Sequence, residues 1–141
     1  MAKKINLFVF CLVFSSAYAE EFIPLPASDI LYIIDGDTII IRCEDCKGSK
    51  IKVRVMGVDT PEIEAKCEPE KILAREAKQF AVGKIREAET IELIPNPKRC
   101  YGPYERLLAW VRLDGEDLAT MLIEAGLGRP YLGNRRESWC D

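Results

Sequence analysis

Histidine is missing altogether from this 141-residue chain. Its absence excludes Ser-His and Cys-His nucleophilic catalysis and the common zinc enzymes with imidazole ligands. What is left is carboxylate, arginine and hard-metal chemistry. Positive charge is also in short supply: 20 lysines and arginines face 23 aspartates and glutamates, a net charge of −3. That is the wrong sign for a non-specific nucleic-acid coat, so a polyanion would have to be drawn in by local arginines and a bound cation. After the first residues, no stretch is long and apolar enough to cross a membrane. There is no internal repeat, low-complexity linker or second-domain signal, and the length suits a single core.

The one long apolar run, "INLFVFCLVF", follows Lys3 and Lys4 and precedes "AYA" at Ala17–Ala19. This pattern reads as a secretory signal over residues 1–19, cut before Glu20. Phe10 is too bulky to make Cys11 a lipid-attachment site. Loss of the leader removes Lys3 and Lys4 but no acid, leaving 18 basic against 23 acidic residues and a net charge of −5. The mature chain, residues 20–141, is expected in the periplasm or the medium, as a monomer with no stable membrane association. It keeps Cys43, Cys46, Cys67, Cys100 and Cys140. In an exported protein these read as structural disulfides with one thiol left over. Cys43-x-x-Cys46 sits between strands, which favours a local bridge pinning a hairpin over redox or zinc chemistry. A Cys67 to Cys140 bridge would staple the tail to the loop after "VDTPE"; pairing of Cys67 with Cys100 is the alternative.

From Ile30, "ILYIIDGDTIIIRC" and "KIKVRVMGV" are rich in β-branched residues, and the second alternates, so they read as strands of an antiparallel hairpin. Asp35-Gly36-Asp37 falls at a bend or bulge of its first arm. Glu68-Pro69-Glu70 opens a helix in which Leu73, Ala77, Phe80 and Ala81 recur at helical spacing. "TIELI" and "ERLLAWVRL" are the remaining strands, and "EDLATMLIEAGLG" is a second helix stopped by Gly126. The tail "RPYLGNRRESWC" has room for a short third helix. This order predicts an α+β, mainly β protein, a five-stranded OB-fold barrel with two to three helices. A generic α+β sandwich has the same pattern.

Antiparallel pairing of the hairpin arms brings Asp35, Asp37, Asp59 and Glu62 to one end. Four carboxylates in one place repel one another unless a cation lies among them, and a hard oxygen-ligand ion, Ca²⁺ or Mg²⁺, suits that donor set. Asp-Gly and Asp-Thr-Pro are also ordinary turn chemistry. Turn chemistry explains Gly36 and Pro61 but not the arginines. Arg54 lies on the "KIKVRV" strand and Arg106 opens an otherwise apolar one. Two guanidiniums facing a metal held by carboxylates make a phosphate clamp.

Through "DGDT" (Asp35 to Thr38), "RVMGVDTPE" (Arg54 to Glu62), "ERLLAWV" and "DLATMLIEAGLGRPY", up to the "WC" end, the sequence resembles the thermonuclease family of staphylococcal nuclease-like domains. The resemblance runs from about Ile30 to Cys140. It implies a Ca²⁺-dependent phosphodiesterase that cleaves DNA and RNA to 3′-phosphate ends. By motif, Asp37 and Asp59 match the calcium-binding carboxylates and Thr60 the residue lending a backbone carbonyl. Glu62 matches the carboxylate assigned as general base, and Arg54 and Arg106 match the phosphate-contacting arginines. Where many members have Tyr-Gly-Arg, this chain has Tyr104-Glu105-Arg106. Tyr104 then resembles a base- or phosphate-contacting tyrosine, while Glu105 adds negative charge near the substrate path. Tyr131 reads either as a groove-lining residue or as packing. Trp110 and Trp139 read as packing rather than as stacking platforms. The acidic balance supports an alternative, an OB-fold nucleic-acid-binding module with little or no turnover.

Overall fold

A computed structural model describes residues 22–102 and 105–141. The expected signal over residues 1–19 lies outside the described residues. No helix among those described is long and apolar enough to cross a membrane.

The chain opens with a two-residue strand, β1 (Ile23–Pro24), followed by β2 (Ile30–Asp35) and β3 (Thr38–Arg42). β2 and β3 pair antiparallel, so the sequence "DGDT" is the reversal of a hairpin and not a bend within one arm. Space, rather than backbone angle, dictates Gly36: a Cβ there would sit 2.9 Å from Thr60 Cγ2 and 3.2 Å from Ala77 Cβ. The hairpin tip is thereby pressed against the loop that follows "GVD". Next come β4 (Lys50–Val55) and β5 (Gly57–Asp59), separated by Met56. β3 pairs antiparallel with β4, with Thr38 opposite Arg54 and Ile40 opposite Lys52. This is the hairpin expected from the alternation, and it places the Asp37 end of one strand beside the Arg54 end of the other.

Helix α1 (Glu68–Glu87) begins with Pro69 in its first turn and with Glu68 and Glu70 near its positive end. Its buried face is Ala74, Ala77, Ala81 and Ile85. The stripe therefore lies slightly round from the expected one, with Leu73 and Phe80 only half-buried. Small residues let the helix axis approach β2, which is what crowds Gly36.

Strands β6 (Ile91–Pro95), β7 (Tyr101–Gly102), β8 (Arg106–Leu113) and β9 (Glu116–Asp117) follow, then α2 (Leu118–Glu124) and β10 (Arg129–Tyr131). β8 alternates between the core and the outer face along its whole length, burying Leu107, Ala109, Val111 and Leu113. It runs parallel to β4 on one side and antiparallel to β6 on the other. Asp117 caps α2, its carboxylate accepting hydrogen bonds from the Thr120 N–H and hydroxyl at 3.2 and 2.9 Å. Gly126, at φ 73°, ends the turn as expected. The tail after Tyr131 is bends and irregular chain, not a third helix.

The main sheet runs β1-β6-β8-β4-β3-β2, and β5 pairs separately with β10. The five long strands give the mainly β, OB-like architecture. Hydrogen bonding does not close the barrel, because the edge of β6 is taken by β1, with Ile23 opposite Leu93. The core is aliphatic, built around Ile39, Ile41, Val53, Val55 and Leu107 with Leu118 and Leu122 from α2.

Candidate functional site

One end of the β3–β4 hairpin carries most of the acids singled out in the sequence. Asp37 is nearly fully buried and accepts hydrogen bonds from the Thr38 hydroxyl at 2.9 Å and the Thr60 N–H at 2.9 Å. The second contact spans 23 residues and ties the "DGDT" turn to the "DTPE" loop. Asp59, at the end of β5, is 3% exposed. A buried carboxylate needs compensating charge. Arg54 provides it, 3.2 Å from Asp37 and 3.7 Å from Asp59, with only 12% of its side chain exposed. Its Nη1 also donates to the carbonyls of Val55 and Val58 at 2.9 and 3.0 Å. Those carbonyls fix the guanidinium plane, and Arg54 lines the neighbouring cleft.

That cleft encloses about 470 Å³. Asp35, Asp37, Arg54, Glu62, Arg106 and Tyr131 all line it, so residues far apart in sequence share one wall. Burial, followed by the charge of Asp37, pushes the Asp35 carboxyl up to about 7. One Asp35 oxygen is buried without a partner among the described residues. Arg106 stands at the first position of β8, directly after Glu105, which takes a left-handed φ of 55°. Tyr131 is held beside Gly57 by the β5–β10 pairing, its ring centroid 5.7 Å from the Arg54 guanidinium. The structure places Tyr131 among the residues that line the cleft. Tyr104 lies outside the described residues.

One residue of the site went unread in the sequence. Arg136, from the tail, donates from Nε to Asp59 at 2.7 Å, from Nη1 to Glu62 and from Nη2 to the Thr60 carbonyl at 3.5 Å. Partial burial opposes its charge, but the hydrogen bond to Glu62 and the charges of Asp59 and Glu62 outweigh that and hold the guanidinium above its ordinary value. Trp139 also reaches the site, its indole N–H donating to the other Asp59 oxygen at 3.2 Å. It is not merely tail packing. Arg129 stacks 3.8 Å from the Trp139 ring centroid and donates to the Ser138 carbonyl, which holds this part of the tail in place. The bridge that anchors the tail is Cys67–Cys140; the second is Cys43–Cys46, and among the described residues Cys100 is free. A signal for Arg136 was in the sequence: Cys67 lies five residues after Glu62, so a bridge to Cys140 brings "NRRES" within reach of that acid.

The donor set can be tested against a divalent ion. Asp59, Glu62 and the Thr60 carbonyl all touch one guanidinium, and Asp37 is tied to the same loop through the Thr60 N–H. Every donor is a hard oxygen, which suits Ca²⁺ in type. The tightest grouping of potential metal ligands among the described residues, Cys67, Glu70 and Cys140, is a poor alternative because its two sulfurs are bonded to each other.

A family model described as staphylococcal nuclease homologue matches residues 52–138. The chain is similar to the thermonuclease of Staphylococcus intermedius, 37% identical over 98 residues, which cover 69% of this chain and 55% of that protein. It is also similar to the thermonuclease of Staphylococcus hyicus, 34% identical over 101 residues, covering 71% and 56%. An uncharacterized protein of Bacillus anthracis is 30% identical over 99 residues, covering 70% of this chain and 44% of its own length. The chain thus spans about half the length of the curated relatives it matches.

Proposed function

The chain belongs to the staphylococcal nuclease homologue family, and from that premise we propose that it is an exported, calcium-dependent phosphodiesterase, active as a monomer on DNA and RNA and leaving 3′-phosphate ends. One observation carries this reading. Two guanidiniums, Arg54 and Arg106, and one half-exposed carboxylate, Glu62, line the same cleft as the buried acid Asp37. A phosphodiester placed there meets donors for its charge and a base for the attacking water in one small volume.

In this proposal Arg54 and Arg106 bind and orient the phosphate, and Glu62 takes the proton of the water that attacks phosphorus; the P–O5′ bond breaks, the phosphate stays on the 3′ side, and the departing 5′-oxygen takes a proton from solvent. Asp37, Asp59 and the Thr60 carbonyl would hold the ion. When bound, calcium adds positive charge beside the phosphoryl oxygens, where negative charge builds up. Asp37 has a second task, since its contacts with Arg54 and the Thr60 N–H fix the arginine relative to the loop bearing Glu62. Export rests on the leader pattern at residues 1–19.

The direct test is hydrolysis of single-stranded DNA with added Ca²⁺ and with a chelator. Cleavage that needs Ca²⁺ and yields 3′-phosphates is the expected result. A folded protein that binds the oligonucleotide but never cuts it would establish the binding module instead.

A second prediction concerns Arg136, which holds three of the oxygens assigned here to calcium and the base. Its hydrogen bonds to ionised groups are worth roughly 1.5 kcal/mol net, and calcium has to replace them. Arg136→Gln is therefore expected to tighten Ca²⁺ binding about tenfold, measured by calorimetry on the nucleotide-free protein. Unchanged or weaker affinity would mean that Arg136 does not compete with the ion.

A further inference from the structure

The outer face of β4 carries a row of cations. Lys50, Lys52 and Arg54 alternate with the buried Ile51, Val53 and Val55, so all three side chains leave the same face. Successive members are about 6.7 Å apart along the strand, comparable with the spacing of neighbouring phosphates in an extended single strand. Arg54 ends the row in the candidate active cleft. Lys52 and Lys50 lead away from it.

They lead into a second depression of about 760 Å³, separate from the first. Its floor is Ile40, which pairs with Lys52 across the β3–β4 ladder and with Tyr32 across the β2–β3 ladder. Ile40 is buried, yet it lies on the opposite face of β3 from the core residues Ile39 and Ile41. Tyr32 is 49% exposed, an aromatic surface beside the lysines. The Lys50 ammonium lies 3.4 Å from the Tyr32 hydroxyl. Neither Lys50 nor Lys52 forms an ion pair among the described residues. Lys47, Lys50 and Lys52 line the groove against the acids Asp45 and Glu105, a local surplus of positive charge on a chain whose net charge is −3.

Two lysines free of ion pairs among the described residues and in line with Arg54, an apolar floor and a half-exposed aromatic ring, with the Lys50 ammonium 5.7 Å from its centroid, supply what a single-stranded nucleic acid needs: counter-charges at phosphate spacing and a surface on which a base stacks. We propose that this groove is a binding track for single-stranded nucleic acid. Lys52 and Lys50 take the phosphates next along the strand from the one held at Arg54, and a base stacks on Tyr32. This rests on the nuclease reading of the Arg54 cleft and extends it to a preference for substrates several nucleotides long. The local track also answers how a chain with excess acid captures a polyanion.

The test is binding of fluorescently labelled oligothymidylates of two and twelve nucleotides to the full mature chain, with chelator present so that nothing is cleaved. The wild type is expected to bind the twelve-mer much more tightly than the dimer. Lys50→Gln/Lys52→Gln is expected to lose about tenfold in twelve-mer affinity at low salt. The slope of log affinity against log salt should fall by about 1.4, roughly 0.7 for each phosphate contact removed from a single strand. Tyr32→Leu should lose roughly tenfold for the same twelve-mer and almost nothing for an abasic one. Both substitutions are at exposed positions, and circular dichroism checks that the fold is kept. A double-lysine variant with wild-type affinity and salt slope would overturn the track. So would a wild type that binds both lengths equally, an outcome that leaves the nuclease reading standing. A wild type that binds neither length would also overturn the track, and the nuclease reading would then be judged separately by the Ca²⁺-dependent cleavage assay.

Discussion

Replacing Glu62 with Gln is expected to lower kcat on single-stranded DNA about 10³-fold, within the range for loss of a positioned general base, while KM changes by no more than about threefold. The substitution keeps shape and one acceptor oxygen. It removes only the ability to take a proton. Glu62 is held for such a role without being buried: half of its side chain is exposed, while its backbone N–H donates to Glu70 at 3.2 Å. Its neighbour Arg136 can still donate to the amide oxygen of Gln, so the tail contact need not be lost. A fall in kcat with KM unchanged is the signature of an interaction made only in the transition state. A rise in KM alone would place Glu62 in substrate binding. A variant that keeps a tenth or more of the wild-type rate would remove Glu62 from the role of base.

Local chemistry accounts for what was legible in the sequence. Alternation along "KIKVRV" and "RLLAWV" marks β4 and β8, because each has one face in the core and one outside it. Proline and acids at the start of α1, and Asp117 and Gly126 around α2, mark the helix ends for reasons contained within a few residues. The meeting of Asp37, Arg54 and Asp59 followed from antiparallel pairing alone, since a hairpin is a local structure. The edge of the sheet depended on more distant parts of the chain. That β1 occupies the edge of β6 turns on a pairing only two residues long, Ile23 with Leu93 and Pro24 with Glu92, which no periodicity announces.

Gly36 shows a different limit. In the sequence it reads as a turn residue, and a turn is where it lies, but its neighbours Thr60 and Ala77 are what forbid a side chain. Such crowding depends on two segments that meet only in the fold. Arg136 is the extreme case, 77 residues from Asp59 in sequence and 2.7 Å from it in space. It lies four residues from a covalent bridge, Cys67–Cys140, and no pattern of apolar residues marks its place. The site therefore has two parts: a hairpin half that the chain builds locally, and a tail half that depends on Cys67 meeting Cys140.

The tail half leads to the second large effect. Cys67→Ser/Cys140→Ser is expected to lower unfolding stability by about 4 kcal/mol, because the bridge spans 73 residues and restricts the unfolded chain accordingly. Cys43→Ser/Cys46→Ser, which opens a span of only 3 residues, is expected to lose about half as much by the same relation. Both are read from urea unfolding, in a Cys100→Ser background so that the free thiol cannot exchange with either bridge. Equal losses from the two variants would show that loop length is not what the long bridge contributes. The two also differ at the site. Freeing Cys140 releases the segment that holds Arg136 on Asp59 and Glu62, so the long-bridge variant should bind Ca²⁺ more tightly, as Arg136→Gln does, whereas the short-bridge variant should bind it as the wild type does. If the long-bridge variant loses stability but its calcium affinity stays at the wild-type value, Arg136 finds its carboxylates without the tether, and charge rather than the disulfide places it there.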